Sequence, residues 1–167
     1  IDYRATGGGK HSILMTYVDD ILLIGNNHDE ITRVERRLLR KYEGRDLGTP
    51  NRILGVNISI MKQGISLNQQ LHARSIVTEG MGLVKVCGAS TPLDPGMGMT
   101  ARRKDEEILD GKIYPYLTLL EKLMFLVGMT RPDLSNSVRE VGRRTNAPCP
   151  RHWRGLKHVL RYITTHP

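Results

Sequence analysis

The sequence predicts an α+β fold. Strand signals fill the first half and helix signals the last third, the order expected when sheets and helices segregate instead of alternating. Two long aliphatic arms, "ILMTYV" and "ILLIG", flank Asp19-Asp20 and fit the lengths of strands. Tyr116 to Val127 is apolar nearly all round and reads as a buried helix. The expected architecture is an antiparallel sheet with hairpins and a helix, followed by a mostly helical region. With 167 residues, 39% hydrophobic and only 5% aromatic, the chain can bury a core of mainly Leu, Ile, Val and Met, in one domain or two small lobes.

The elements follow in order. "RATGGGKHS" (Arg4 to Ser12) is a turn signal between two strands, its glycines free to adopt positive φ. It is not a phosphate loop, because His11 follows Lys10 where Ser or Thr is needed. Next comes the hairpin with its turn at Asp19-Asp20, a poor choice by local propensity, since tight turns favour Gly or Asn. "NNHDEITRVERRLLRKYEG" predicts a helix capped by Asn27 with Glu30 as reciprocal partner and stopped by Gly44. Ile31, Val34, Leu38 and Tyr42 form its apolar stripe, and its remaining faces are crowded with Arg33, Arg36, Arg37, Arg40 and Lys41, read as a solvated surface.

"NRILGVNISIMKQGISLNQ" predicts two strands joined at "KQG", and Leu71 to Glu79 a weak helix ending at Gly80 and Gly82. The stretch 88–111, rich in Gly, Pro, Met and charge, reads as a linker between a strand-rich part (1–87) and a helical part (112–167). Pro115 suits the first position of a helix, Pro132 stands near the start of a second, and Pro150 opens a third. In the last helix Trp153, Leu156, Leu160 and Ile163 make the apolar stripe, surrounded by Arg151, Arg154, Lys157, His158 and Arg161.

Charge points to the partner. The formal net charge is +8, and from Arg131 to Pro167 eight basic residues face two acidic ones. Such a concentration suits an anionic partner, with nucleic acid first. Two cysteines without paired spacing argue against a disulfide framework and suit a reducing compartment. No secretory signal or membrane span is legible, so no membrane partner is expected. The sequence starts at Ile1 and stops at Pro167 without a clean beginning or end, and reads as a piece of a longer polypeptide.

Asp19 and Asp20 carry the strongest chemical signal. Adjacent carboxylates beside apolar strands repel each other and resist burial. A divalent cation relieves both effects, and Mg²⁺ takes one or two protein carboxylates together with substrate phosphates and water. Paired ions of this kind serve phosphoryl transfer. Tyr17 adds an aromatic hydroxyl beside them.

"TYVDDILLIGNN" resembles the palm hairpin of reverse transcriptases of Ty1/copia-type LTR retrotransposons. The similarity continues in order through "RDLGTPNRILGVNI", "GISLNQQLHARSIV", "STPLDPG", "YPYLTLLEKLMFLVGMTRPDLSNSV" and "PCPRHWRGLKHVLRYI", and covers nearly the whole chain. It implies an RNA-directed DNA polymerase: 1–87 as part of the palm, 88–111 as linker, 112–167 as a thumb-like or connection-like region. It implies that Asp19 and Asp20, with Tyr17, are catalytic, and that Asp19 and Asp20 are two of three metal-binding carboxylates. Val18 would lie near the primer terminus, and Leu54, Gly55 and Val56 in the hairpin that supports it. Arg151, Arg154, Lys157 and Arg161 would hold template–primer phosphates. The implied partners are an RNA/DNA template–primer, dNTP and the rest of the retrotransposon polyprotein. Two Mg²⁺ (or Mn²⁺) ions are expected only in the complete enzyme. The implied location is intracellular, in a cytoplasmic virus-like particle or the nucleus.

The third carboxylate of such a site is expected upstream, where the chain offers only Asp2, better aligned with the start of a preceding strand. Primer extension by this chain alone is therefore not expected. Pro115, Glu121, Arg143, Arg144, Gly44 and Ile53 depart from the family pattern, and Glu121 is expected to strain a closely packed helix. The alternative reading is a non-enzymatic relic that binds nucleic acid or protein through its basic helices. A zinc site from Cys149, His152 and His158 is a further, weaker idea, since the two histidines lie six apart on one helix.

Overall fold

The computed structural model describes residues 2–6, 9–82 and 87–166. The fold is mixed, with two small antiparallel sheets followed by helices, in the strands-first order that the sequence predicts. It separates into two compact units, Ile1–Pro50 and Asn51–Pro167.

The first unit is a three-stranded sheet, β1 (Asp2–Thr6), β2 (Lys10–Tyr17) and β3 (Asp20–Gly25), with one helix, α1 (His28–Lys41). The strands run further into this segment than expected: Arg4 to Thr6 belong to β1 and Lys10 to Ser12 to β2. Gly7 and Gly8 lie outside the described residues. In β2 and β3 Ile13 opposes Ile24, Leu14 opposes Leu23, Met15 opposes Leu22 and Tyr17 opposes Asp20. Alternation then sets Ser12, Leu14, Thr16, Ile21, Leu23 and Gly25 on one face. That face meets α1, since a Cβ on Gly25 would lie 2.9 Å from Ile31 Cδ1. Asn27 caps α1 as expected, its side chain accepting from Glu30 N–H at 2.9 Å. The helix stops at Lys41, capped by an extended Tyr42, and does not run on to Gly44. No residue of α1 is buried.

The second unit starts with β4 (Arg52–Ile53), β5 (Val56–Met61) and β6 (Gly64–Asn68). Three strands stand where two were expected, because Leu54 and Gly55 make a turn of their own. Four helices follow: α2 (Gln70–Met81), α3 (Tyr116–Met129), α4 (Ser135–Gly142) and α5 (Pro150–Thr165). A 3₁₀ turn, Pro132–Leu134, leads into α4. Pro150 takes the first position of α5 as expected, whereas Pro115 stands one residue before α3 and caps it.

The core is built by Ala73 and Ile76 of α2, Leu119, Leu120, Leu123 and Leu126 of α3, Val138 and Val141 of α4, and Leu156, Val159, Leu160 and Ile163 of α5. Gly80 is not the helix stop read from the sequence but a point of close approach. A Cβ there would lie 2.3 Å from Leu160 Cδ1. α3 is not buried all round: Leu117 (55% exposed), Met124 and Met129 face outward. Glu121 shares that exposed side, so its charge reaches water and does not strain the core.

Residues 88–111 form neither helix nor strand, yet they are strapped down. Ala89 and Met99 are buried. Leu109 N–H donates to Pro148 O at 2.8 Å, and Arg144 Nε donates to Met99 O at 2.6 Å.

Candidate functional site

The sequence-selected residues fall into three groups, each held by a different local device. Tyr17, Val18, Asp19 and Asp20 come together at the tip of the β2–β3 hairpin. The turn is one residue earlier than expected: Tyr17 pairs with Asp20, and the two-residue loop is Val18-Asp19. Asp20 is therefore the first residue of β3. Val18 has φ 51°, in the left-handed region that costs a β-branched side chain about 1–2 kcal/mol.

Both aspartates are exposed, as are Tyr17 (59%) and Val18 (87%). The apolar strands beside the pair do not enclose it, and water solvates both carboxylates. They offer hard oxygen ligands of the kind that Mg²⁺ or Mn²⁺ prefers. Among the described residues no group of three His, Cys, Asp or Glu side chains gathers to complete a metal site. The backbone of Asp2 opposes Leu14 in β1, three residues before Tyr17, and its side chain lies outside what is described.

Leu54, Gly55 and Val56 form the second group. Leu54 (φ 47°) and Gly55 (φ 78°) are both left-handed, the geometry of a tight two-residue hairpin turn. Among the described residues Leu54 and Val18 are the two positions other than glycine with positive φ. Val56 is buried. The turn leans on α3, where the ring of Phe125 lies 3.5 Å from the place of a Cβ on Gly55. Phe125 in turn meets His72 of α2 edge-on, with ring centroids 5.3 Å apart. Phe125 and His72 were not legible as supports, because they are distant in sequence from the turn.

The third group lies on α5. At 100° per residue Arg151, Arg154, Lys157 and Arg161 occupy about one third of the helix circumference. Their surroundings differ. Arg151 reaches Gly98 O (2.8 Å), Thr100 Oγ1 (2.6 Å) and the carboxylate of Glu106 (3.0 Å). Arg161 Nε donates to Cys87 O at 2.8 Å. Lys157 lies over the Trp153 ring, and Arg154 is exposed. The backbone N–H of Arg103 and then the Arg151 guanidinium pull the Glu106 carboxyl down from 4.5 to about 2. Basic residues that sequence reading assigns to a partner thus also hold the 88–111 strap.

The histidines of the zinc idea serve as staples. His152 is fully buried: its Nδ1 accepts from Cys149 N–H at 3.2 Å, and its Nε2 lies 2.9 Å from Thr100 O. Cys149 and His152 form a capping box at the start of α5. His158 is 3.0 Å from Thr91 O. The three do not converge on one point.

The profile of the family described as reverse transcriptase (RNA-dependent DNA polymerase) matches residues 2–95, more than half of the chain. The chain is 28% identical over 156 residues to the retrovirus-related Pol polyprotein from transposon TNT 1-94 of Nicotiana tabacum, a match covering 90% of the chain and 12% of that protein. It is 30% identical over 153 residues to an uncharacterised mitochondrial protein of Arabidopsis thaliana, covering 90% of the chain and 60% of the relative. A putative transposon Ty5-1 protein of Saccharomyces cerevisiae is 29% identical over 168 residues, covering 98% of the chain and 52% of the relative. The chain therefore spans between about an eighth and three fifths of the length of these relatives. No solved structure gives a significant match. No helix among the described residues is long and apolar enough to cross a membrane.

Proposed function

The chain belongs to the reverse transcriptase (RNA-dependent DNA polymerase) family, in its copia-type transposon form, and from that premise we propose that it supplies palm and thumb-like elements to an RNA-directed DNA polymerase. The observation that carries the reading is the strained Tyr17–Asp20 turn, which holds two carboxylates at the tip of a paired hairpin. Asp19 and Asp20 bind divalent metal in the complete enzyme, with a third carboxylate from elsewhere in the polyprotein. Bound there, Mg²⁺ or Mn²⁺ supplies activation of the attacking oxygen and neutralisation of the leaving phosphates.

The chain's own residues do the positioning. The β2–β3 ladder fixes the carboxylates on a rigid support. Tyr17 and Val18 lie beside the primer terminus, and the Leu54–Gly55 turn, braced by Val56 and Phe125, supports the primer strand. Arg154 and Lys157 contact template–primer phosphates through charge that carries no sequence information. Arg151 and Arg161 join them where the strap carbonyls leave donors free. The 88–111 stretch is the link between palm and thumb-like parts. The partners are template–primer, dNTP and the remaining polyprotein, within the intracellular compartment where the element replicates.

The test has two arms. In the complete polyprotein polymerase, Asp19→Asn abolishes Mg²⁺-dependent primer extension and leaves template–primer binding intact. Unchanged extension by that variant would sink the catalytic assignment. The 167-residue chain alone, which brings two carboxylates and no third among its described residues, shows no extension with Mg²⁺ or Mn²⁺. Detectable extension by it would refute that part.

A further inference from the structure

The exposed face of α1 is not used by the reading above. Arg33, Arg36, Arg37, Arg40 and Lys41 all lie exposed on it. At 100° per residue they occupy an arc of about 140°, next to the stripe of Ile31, Val34 and Leu38, with Lys41 at the edge nearest Val34. Gly25 fixes the orientation, because the apolar side with Ile31 is the side turned to the sheet. Five cations therefore point away from the unit along about 12 Å of helix.

Local pairing does not explain them. Arg33 reaches Glu30 at 2.7 Å. Among the described residues no ion pair joins Arg36, Arg37, Arg40 or Lys41 to a carboxylate. Like charges stand four apart at Arg33/Arg37, Arg36/Arg40 and Arg37/Lys41, each pair destabilising the helix by a few tenths of a kcal/mol. The helix dipole accounts for Arg40 and Lys41 in the last turn, but not for the three arginines before them.

We propose that this face of α1 is a docking surface for the phosphodiester backbone of nucleic acid. It forms a second contact track on the first unit, separate from the α5 group. Four of the five cations are arginine, whose planar fork matches phosphate oxygens better than an ammonium does. A duplex presents roughly seven charges over the same 12 Å, a density that relieves every repulsive pair on the helix at once. A lipid surface fits less well, because the apolar stripe is committed to the sheet and cannot insert. The surface works without polymerase chemistry and stands or falls apart from the role of Asp19 and Asp20.

The full 167-residue chain is titrated with a fluorescent 20-base-pair RNA–DNA hybrid between 50 and 200 mM salt. Arg36→Gln/Arg37→Gln/Arg40→Gln/Lys41→Gln should lower the slope of log affinity against log salt by about 3, on the order of a hundredfold difference in salt sensitivity over that range. The helical circular-dichroism signal should be unchanged. Lysine at positions 36, 37 and 40 should keep the slope. Arg154→Gln/Lys157→Gln should remove a separate increment, and Asp19→Asn should leave α1's contribution untouched. An unchanged slope in the quadruple variant overturns the proposal. So does tighter binding of poly-glutamate than of the hybrid, which would mark the face as a site for an acidic protein.

Discussion

Residues 51–167 enclose Ile76, Leu119, Leu123, Leu156, Val159 and Leu160 with no exposed surface at all. Residues 9–50 enclose no aliphatic side chain fully; their one buried residue is Ser12, Ile21, Ile24 and Leu39 are nearly half exposed, and Leu47 is 76% exposed. One unit is held by a packed interior, the other by a strand ladder, a capped helix and half-buried contacts. Burial of apolar area contributes about 25 cal/mol per Å², so the second unit carries most of the chain's hydrophobic stabilisation. The proposed carboxylate site sits on the other one. There two adjacent charges cost little desolvation, because they stay wet.

Core truncation breaks this contrast most sharply. Leu123→Ala, at a fully buried site of α3, should cost about 2–5 kcal/mol in urea unfolding monitored at Trp153. Leu14→Ala, half-buried in β2, should cost about 1 kcal/mol or less. Equal costs would mean that the first unit has a core of comparable quality. Next in size is Gly80→Ala. Its Cβ would stand 2.3 Å from Leu160 Cδ1 and 3.1 Å from Leu119 Cδ1, and should destabilise by about 1–3 kcal/mol despite better helix propensity. Gly44→Ala, with nothing within 4 Å, should fall within about 0.5 kcal/mol of wild type.

The strap gives a pH test of the second unit. The Glu106 carboxyl is lowered from 4.5 to about 2, so its contribution is complete above 4.5 and is lost as pH falls from there through 2. Amide exchange at Arg103, whose N–H donates to Glu106 Oε2 at 2.7 Å, should accelerate beyond its intrinsic rate across that window. Glu106→Gln should be loosened at neutral pH and show no further acid step. An acid step that survives in the variant would assign the strap's closure to other groups.

Legibility differed between the units for physical reasons. The α1 cap at Asn27 and the aliphatic arms of the hairpin were readable because their signals are local. The turn at Val18-Asp19 was misplaced by one residue, because no propensity rule puts valine at positive φ. The sequence reads the outward Leu117 and Met124 of α3 as core, since composition cannot tell an uncovered apolar face from a buried one. Residues 88–111 looked like a loose linker because what restrains them is non-local. Arg144, Arg151, His152 and His158 reach strap atoms more than forty positions away in sequence. Of the candidate site, the ordered motifs identified the hairpin tip and the Leu54–Gly55 turn, but not Phe125 beneath that turn.

The two strained turns offer the finest comparison, one in each unit. Val18→Gly relieves a left-handed valine at a cost in chain entropy, and Val18 is too exposed to lose packing. It should therefore stabilise by about 0.5–1 kcal/mol. Leu54→Gly relieves similar strain but removes a half-buried side chain, so its net effect should be near zero or unfavourable. Thermal unfolding of the two variants measures the difference directly. If Val18→Gly also lowers primer extension in the complete polymerase while raising stability, the strain at Val18 serves to place the carboxylates. If extension is unchanged, the turn's conformation is incidental to the site.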